Sequence, residues 1–194
     1  MNRIIELPEP DKKGSMSLEQ TIISRRSCRD FSSKALSMEQ ISQLTWAAQG
    51  QEQGDRFRNI PSAGATYPLE LFAVTETGFF HYLPGKHALE EIAKKDLRSK
   101  LCSAAWGQDF ISTAPLTLVI TAEFTRTTGR YSKRGIRYVY MEAGHAAQNI
   151  HLQAESLELG SVAVGAFDDA SVSSVLSLPA NLESVYMVTI GYRQ

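Results

Sequence analysis

The sequence predicts an α+β fold, and three observations carry that prediction. Two strand-like runs, Leu69–Thr75 and Phe79–Leu83, are joined by the tight turn Glu76-Thr77-Gly78, which marks an antiparallel hairpin. Leu116–Ala122 (LTLVITA) is apolar throughout and reads as a central strand buried on both faces. Residues 137–159 run without a proline to Gly160, a natural stop for a long helix. Hairpins mixed with helices, and a long helix so late in the chain, do not follow a strict βαβ order.

Residues 1–16 hold prolines at 8 and 10, a glycine and several charges, and read as an exposed arm. Residues 17–194 read as one domain, with no repeat and no composition break. Ser17 and Ser37 each precede a glutamine by three residues, Gln20 and Gln40, the spacing of a capping box. Helices are therefore expected over 17–26 and 37–49, the second turning Ile41, Leu44, Trp46, Ala47 and Ala48 inward. Residues 50–59 read as a polar surface loop, and 60–69, with two prolines and a glycine, as irregular. Residues 87–103 read as an amphipathic helix, with helical character resuming at 106–113 before Pro115. A basic loop is expected at 126–137. In the long helix Met141, Gly144, Ala147, Ile150, Ala154 and Leu157 recur every three to four residues and mark a buried face. Its many small side chains suit either the centre of a domain or a subunit interface, and periodicity alone does not choose. A strand at 161–167, a small helix at 170–176 and a last strand at 184–192 complete the chain.

With 194 residues, 43% hydrophobic and 21% charged, the chain can bury a sizeable core. A net charge of −1 argues against nucleic acid or an anionic membrane as the main partner. The apolar run near the N-terminus is too short for a signal-peptide core, and no stretch reaches the roughly twenty apolar residues of a membrane span. Cys28 and Cys102 form no CxxC pair. A soluble, cytoplasmic protein is expected.

The phosphate-binding GxxxxGK[ST] loop, the GxGxxG turn and the GxSxG elbow are all absent. His145 and His151 are six residues apart, which puts them off a common helical face and argues against a metal. Cys28, among arginines, is either an activated thiol or a small residue filling a turn. Three positive signals remain. Arg25, Arg26 and Arg29 surround Ser27 just past the first helix, and guanidinium forks beside a hydroxyl suit a phosphate. Arg193 is a lone cation at the end of a strand. The strand over 161–167 breaks at Gly165, freeing backbone N–H groups to face a ligand.

Together, RRSCRDF, PSAGATYP, AWGQDFISTAP and EAGHAAQNIHLQA…LGSVAVGAFDD, in this order, resemble the nitroreductase superfamily, and within it the branch of SagB/ThcOx-type oxidoreductases. The resemblance covers residues 17–193. It implies an entwined homodimer with FMN at the subunit interface, a mixed, largely antiparallel sheet flanked by helices, and the long helix at the dimer core. By position, Arg25, Ser27 and Arg29 would hold the FMN phosphate and ribityl chain, with Arg26 in the same motif and Arg193 also on the phosphate. Pro61, Ser62, Ala63 and Gly64 would reach the flavin ring from the partner subunit. Gly165 and Ala166 would offer N–H groups where negative charge develops on flavin reduction.

Members of this branch that oxidise azoline rings in peptides carry a Lys-Tyr pair before the long helix. Here that place reads Arg130-Tyr131, and arginine keeps its proton where lysine can act as a base. Tyr131 either positions substrate and donates a proton or is only a loop aromatic. The resemblance therefore implies first an FMN-dependent oxidoreductase moving hydride between NAD(P)H and a small acceptor such as a nitroaromatic, quinone or enone. An azoline dehydrogenase is the alternative, and a flavin-binding protein without turnover is the third reading.

Overall fold

In a computed structural model, which describes residues 2–51 and 57–194, the strands are β1 (Ile4–Glu6), β2 (Leu69–Thr75), β3 (Phe79–Leu83), β4 (Ala88–Ala93), β5 (Leu116–Ala122), β6 (Gly160–Val164) and β7 (Glu183–Gly191). The helices are α1 (Leu18–Ser24), α2 (Met38–Gln49), α3 (Arg98–Ala104), α4 (Phe110–Thr113), α5 (Phe124–Tyr131), α6 (Arg134–Ser156) and α7 (Asp169–Leu176). The strands form one sheet in the order β1-β4-β3-β2-β5-β7-β6, and every pairing between neighbours is antiparallel. This is the α+β architecture that the hairpin and the long helix predict. No described helix is long and apolar enough to cross a membrane.

All seven residues of β5 are buried because helices cover both faces of the sheet. On one face α2 and α6 close over Leu71, Leu118, Ile120 and Val188, with Leu44, Ala146 and Ile150 as their own contribution. On the other, Leu101, Ile111 and Val172 from α3, α4 and α7 pack on Phe72, Val119 and Met187. Small buried residues, Ala143, Ala146, Ala147 and Ala154, let α6 lie close to the sheet. Gly135 permits the same at the α5–α6 corner, where a Cβ would stand 2.9 Å from the Thr128 backbone.

Both capping serines do as expected, accepting from the N–H three residues on. Only the second box is complete: Gln40 reaches back to the Ser37 N–H, whereas Gln20 turns forward to the Ser24 hydroxyl. Trp46 is half-buried rather than fully turned inward. The centre of the loop expected at 50–59, residues 52–56, lies outside the described residues.

Several expectations are corrected. The arm is not free along its length, because β1 pairs with β4 and Leu7 is buried. The segment 87–103 splits into β4 and α3. Its local propensity favours helix, but β4 is sandwiched between β3 and β1, and the ladder hydrogen bonds outweigh that weak preference. Helical structure at 106–113 is confined to α4, because Trp106 (φ 56°) and Gly107 (φ 78°) adopt left-handed conformations that end α3. The basic loop is α5 and the first turn of α6: Thr127 is fully buried there and shares a 2.8 Å hydrogen bond with Thr66, while the cations point outward. In α6 the buried stripe is Val139, Ala143, Ala146, Ala147, Ile150 and Ala154, leaving Met141 (54% exposed) and Gly144 on the outside. Alanine and glycine surround this helix, so the spacing leaves its rotation undetermined.

Leu118 has no exposed surface, so Leu118→Ala should lower the unfolding free energy by about 2–5 kcal/mol. Urea denaturation measures this, and a loss below about 1 kcal/mol would contradict the central position of β5.

Candidate functional site

β6 is an edge strand, and residues 25–29 dock on its open side. Ser27 forms an isolated parallel bridge with Ser161, and the Cys28 N–H donates to the Ser161 carbonyl at 3.0 Å. The C-terminal segment arrives at the same corner. Arg193, just past β7, bridges to Phe31 and donates from Nη2 to Oε2 of Glu155, a carboxylate buried on α6. Gly160 is the close-approach point, since a Cβ there would stand 2.8 Å from Cys28 and 3.0 Å from the Arg193 side chain. Cys28 is thus a turn-filling residue, its thiol directed to the Asp30 carbonyl.

The arginines differ in how they are engaged. Arg26 donates to the carbonyls of Ile23 and Arg25, closing the end of α1. Arg25 and Arg29 have no carboxylate partner among the described residues, so their charge is available to an anion. Behind them, His151 Nδ1 lies 2.7 Å from the Ser161 hydroxyl. Burial, and then the positive charge of Arg25, lower its pKa to about 4, so this imidazole is neutral at ordinary pH.

Sheet pairing of β6 ends at Val164, leaving Gly165 and Ala166 exposed beyond it. Gln108 holds this exit by donating from one amide nitrogen to the carbonyls of Ala166 (2.8 Å) and Ala105 (3.0 Å). Five residues of strand, about 16 Å, separate this end from the arginine corner. A ligand touching both must be extended, with an anionic group at one end.

The second group surrounds residues 61–64. Here Gly64 (φ 60°), Ala65 (φ 53°) and Tyr67 (φ 46°) all have left-handed backbones, which for the two non-glycine residues costs about 1–3 kcal/mol each. The loop is held in that shape by Ser62, whose hydroxyl accepts the Tyr67 N–H at 2.9 Å, and by Arg130, which donates to the Gly64 carbonyl at 3.1 Å. Tyr131 packs beside it: a Cβ on Gly64 would stand 2.6 Å from the tyrosine hydroxyl. Arg130 and Tyr131 therefore meet the 61–64 loop of their own chain.

Under the loop lies Glu142 of α6, 2% exposed, with one carboxylate oxygen lacking a partner. Burial raises its pKa to about 7, against the opposing pull of the Ser62 hydroxyl and the Arg58 charge. Arg58 donates to Gln49 Oε1 and to the Leu69 carbonyl, and its guanidinium lies over the Tyr67 ring.

The two groups are attached to α6 at Glu142, near the middle of the helix, and at Glu155, near its C-terminal end, positions thirteen residues or about 20 Å apart along the axis. Sequence reading finds the cationic motif, the 61–64 loop and the strand break, but it misses the groups that hold them: Glu155, His151, Ser161, Gln108, Arg58 and Glu142. The only available signal is a carboxylate isolated in an apolar helix, and that does not say which loop it faces. A groove of about 610 Å³ between the N-terminal segment, α2 and α6 contains none of the predicted site residues.

Residues 22–192 match the model of the nitroreductase family. The nitroreductase-type protein MJ1384 of Methanocaldococcus jannaschii is 41% identical over 180 residues, 90% of this chain and 89% of that one. A crystal structure of a nitroreductase-type protein from Ralstonia eutropha JMP134 superposes with a TM-score of 0.90 at 32% identity, covering 99% of this chain and 90% of that one. The microcin B17-processing protein McbC of Escherichia coli is 30% identical over 138 residues, 66% of this chain and 51% of McbC. The chain belongs to the nitroreductase family and is an oxidoreductase of that type.

Two buried titrating groups oppose one another. Glu142, with its pKa raised from 4.5 to about 7, contributes stability that is full below pH 4.5 and gone above about pH 7. His151, lowered from 6.5 to about 4, contributes stability that is full above pH 6.5 and gone below about pH 4. The wild type should therefore be nearly level in stability between these limits. Glu142→Gln should instead gain stability as pH rises through this range, by the order of 3 kcal/mol, and His151→Gln should lose it. Urea midpoints across the range test this; parallel curves for all three proteins would refute it.

Proposed function

We propose that this chain is an FMN-dependent oxidoreductase that passes hydride between NAD(P)H and a small electron acceptor of the nitroaromatic, quinone or enone type. In this reading it works in the cytoplasm as a homodimer. The observation that carries the proposal is the separation of the two groups along α6. One chain presents an anion-binding corner and a broken strand edge, and holds its strained 61–64 loop over Glu142, about 20 Å along α6 from the Glu155 that anchors the corner. A second copy related by a two-fold axis brings the loop of one subunit to the corner of the other. The exposed apolar side of the helices supports such an interface. Ile136, Tyr140 and Met141 on α6 are 42%, 55% and 54% exposed, and Leu18, Ile22 and Ile23 on α1 are 60%, 55% and 69% exposed.

The residues present suit FMN. Arg25 and Arg29 lack carboxylate partners among the described residues and would take the phosphate, with the Ser27 hydroxyl as a further donor. Arg193 is engaged by Glu155, so it would contribute a guanidinium already fixed in direction. The N–H groups of Gly165 and Ala166, held by Gln108, would face the ring, with residues 61–64 of the partner subunit packing along it. Bound FMN would supply the reversible hydride chemistry that no side chain of this protein provides.

The likeness to McbC favours a second reading, oxidation of azoline rings in a modified peptide. Arg130 at the place of the family's lysine weighs against it, because a guanidinium does not accept a proton. The two readings differ in the source of electrons. The visible spectrum of the purified protein should be that of a flavin and should bleach on anaerobic addition of NAD(P)H. Flavin that remains oxidised would reject the leading reading in favour of a peptide dehydrogenase or a silent binder.

Arg25→Ala with Arg29→Ala should weaken FMN binding at least about tenfold, two charge-assisted contacts being lost, while sedimentation remains that of the dimer. Arg193 is a poorer probe, since its removal strands the buried Glu155. Full flavin occupancy in the double variant would refute the phosphate assignment.

A further inference from the structure

A cavity of about 190 Å³ lies between the sheet and the segment that leads from Phe31 into α2. Its floor is Ala73 of β2, Phe80 of β3 and Leu89 of β4. Met38 and Ile41 of α2 and Ile5 of β1 wall it in. Ile41, Ala73, Phe80 and Leu89 are buried, so the interior is apolar. The exposed lining residues Ser33, Ala35, Glu76 and Thr77 mark its mouth. None of the residues assigned above to FMN lines it.

The interiors of folded domains hold few voids larger than a water molecule, because each void forfeits the contacts its walls would otherwise make. Cavities with apolar walls offer water too few hydrogen-bond partners, and one of about 150 Å³ takes benzene instead. The polar groups at the mouth are largely engaged already. The Thr75 hydroxyl is shared with the Thr77 hydroxyl at 3.1 Å and the Gly78 carbonyl at 3.3 Å. Lys34, the cation of the covering segment, lies over the Tyr192 ring, 4.1 Å from its centre. Among the described residues Glu76 is the one charged member of the lining. Its carboxylate is 3.9 Å from Arg98, whose guanidinium is held by Asp96 at 2.7 Å.

We propose that this cavity is a binding site for a neutral, single-ring aromatic molecule. Its volume suits a six-membered ring carrying one or two further atoms. Phe80 in the floor offers a ring for edge-to-face contact, and Met38 in the wall offers a polarisable sulfur, and both favour an aromatic over an aliphatic occupant. An anionic ring is disfavoured twice, by desolvation of its charge in the apolar interior and by the Glu76 carboxylate at the mouth. The site goes beyond the oxidoreductase reading and does not depend on it.

The test is calorimetric titration of the protein as purified, with toluene as the probe and benzoate as its anionic counterpart. Toluene should bind saturably to a single class of site with a Kd of about 1 mM or below, within what seven heavy atoms can supply. Benzoate should bind at least about tenfold more weakly. Ala73→Leu fills the floor of the cavity, so it should abolish the heat of toluene binding and leave the visible spectrum and sedimentation as in the wild type. Should that variant not fold, methyl NMR of the wild type decides, since toluene should shift the resonances of Met38, Ile41 and Leu89. The proposal is overturned by toluene uptake that never saturates, by benzoate binding as tightly as toluene, by a folded Ala73→Leu variant that keeps wild-type affinity, or by methyl shifts confined to residues away from the cavity.

Discussion

Two carboxylates buried on α6 govern where the functional segments of this protein sit. A buried charge is tolerated only with a partner or in protonated form, and the two carboxylates use these two solutions. At Glu155 the solution is a cation: Arg193 is drawn back across the sheet edge, and the C-terminal segment comes with it. At Glu142 burial favours the protonated form, with Arg58 and the Ser62 hydroxyl pulling the other way, and the carboxyl lies under the 61–64 loop. The sheet supplies the platform, and each buried carboxylate lies against one of the two functional segments.

The 61–64 loop illustrates how such anchoring permits strain. Its left-handed residues would relax if the loop were free, but Ser62, Thr66 and Arg130 tie it to its own turn, to α5 and to the α5–α6 corner. A rigid, strained loop presents a fixed surface at little further ordering cost when a ligand arrives. The α5–α6 corner beside it has the opposite character, with four exposed cations, Arg130, Lys133, Arg134 and Arg137.

Much of the fold was legible because it depends on local patterning. The hairpin, the wholly apolar β5 and the serine caps all follow from side chains close together in sequence. The long helix instead stops at Ser156, with Glu158 (φ 60°) taking the left-handed position expected of a glycine, and Gly160 opens β6. The errors fall where partners distant in sequence decide. β4 is helix-favouring in composition and a strand in fact, because β1 and β3 supply ladder partners on both sides. The buried face of α6 was misassigned for a related reason: a helix ringed by alanine and glycine has no preferred rotation until the sheet beneath selects one.

The candidate site divides in the same way. Arg25, Ser27, Arg29, Gly165 and Arg193 could be picked out in the sequence, since guanidinium clusters and broken strands are local features with known chemistry, whereas Pro61, Ser62 and Gly64 entered only through the family resemblance. That Arg193 is held by Glu155, that His151 is neutral against Ser161, that Glu142 lies under Ser62 and that Gln108 supports the exit of β6 were decided by tertiary structure alone. Each of these joins polar groups far apart in sequence, tens of residues in several cases, and Glu142, His151 and Glu155 are buried. Burial is what perturbs such groups, and burial exists only once the chain has folded.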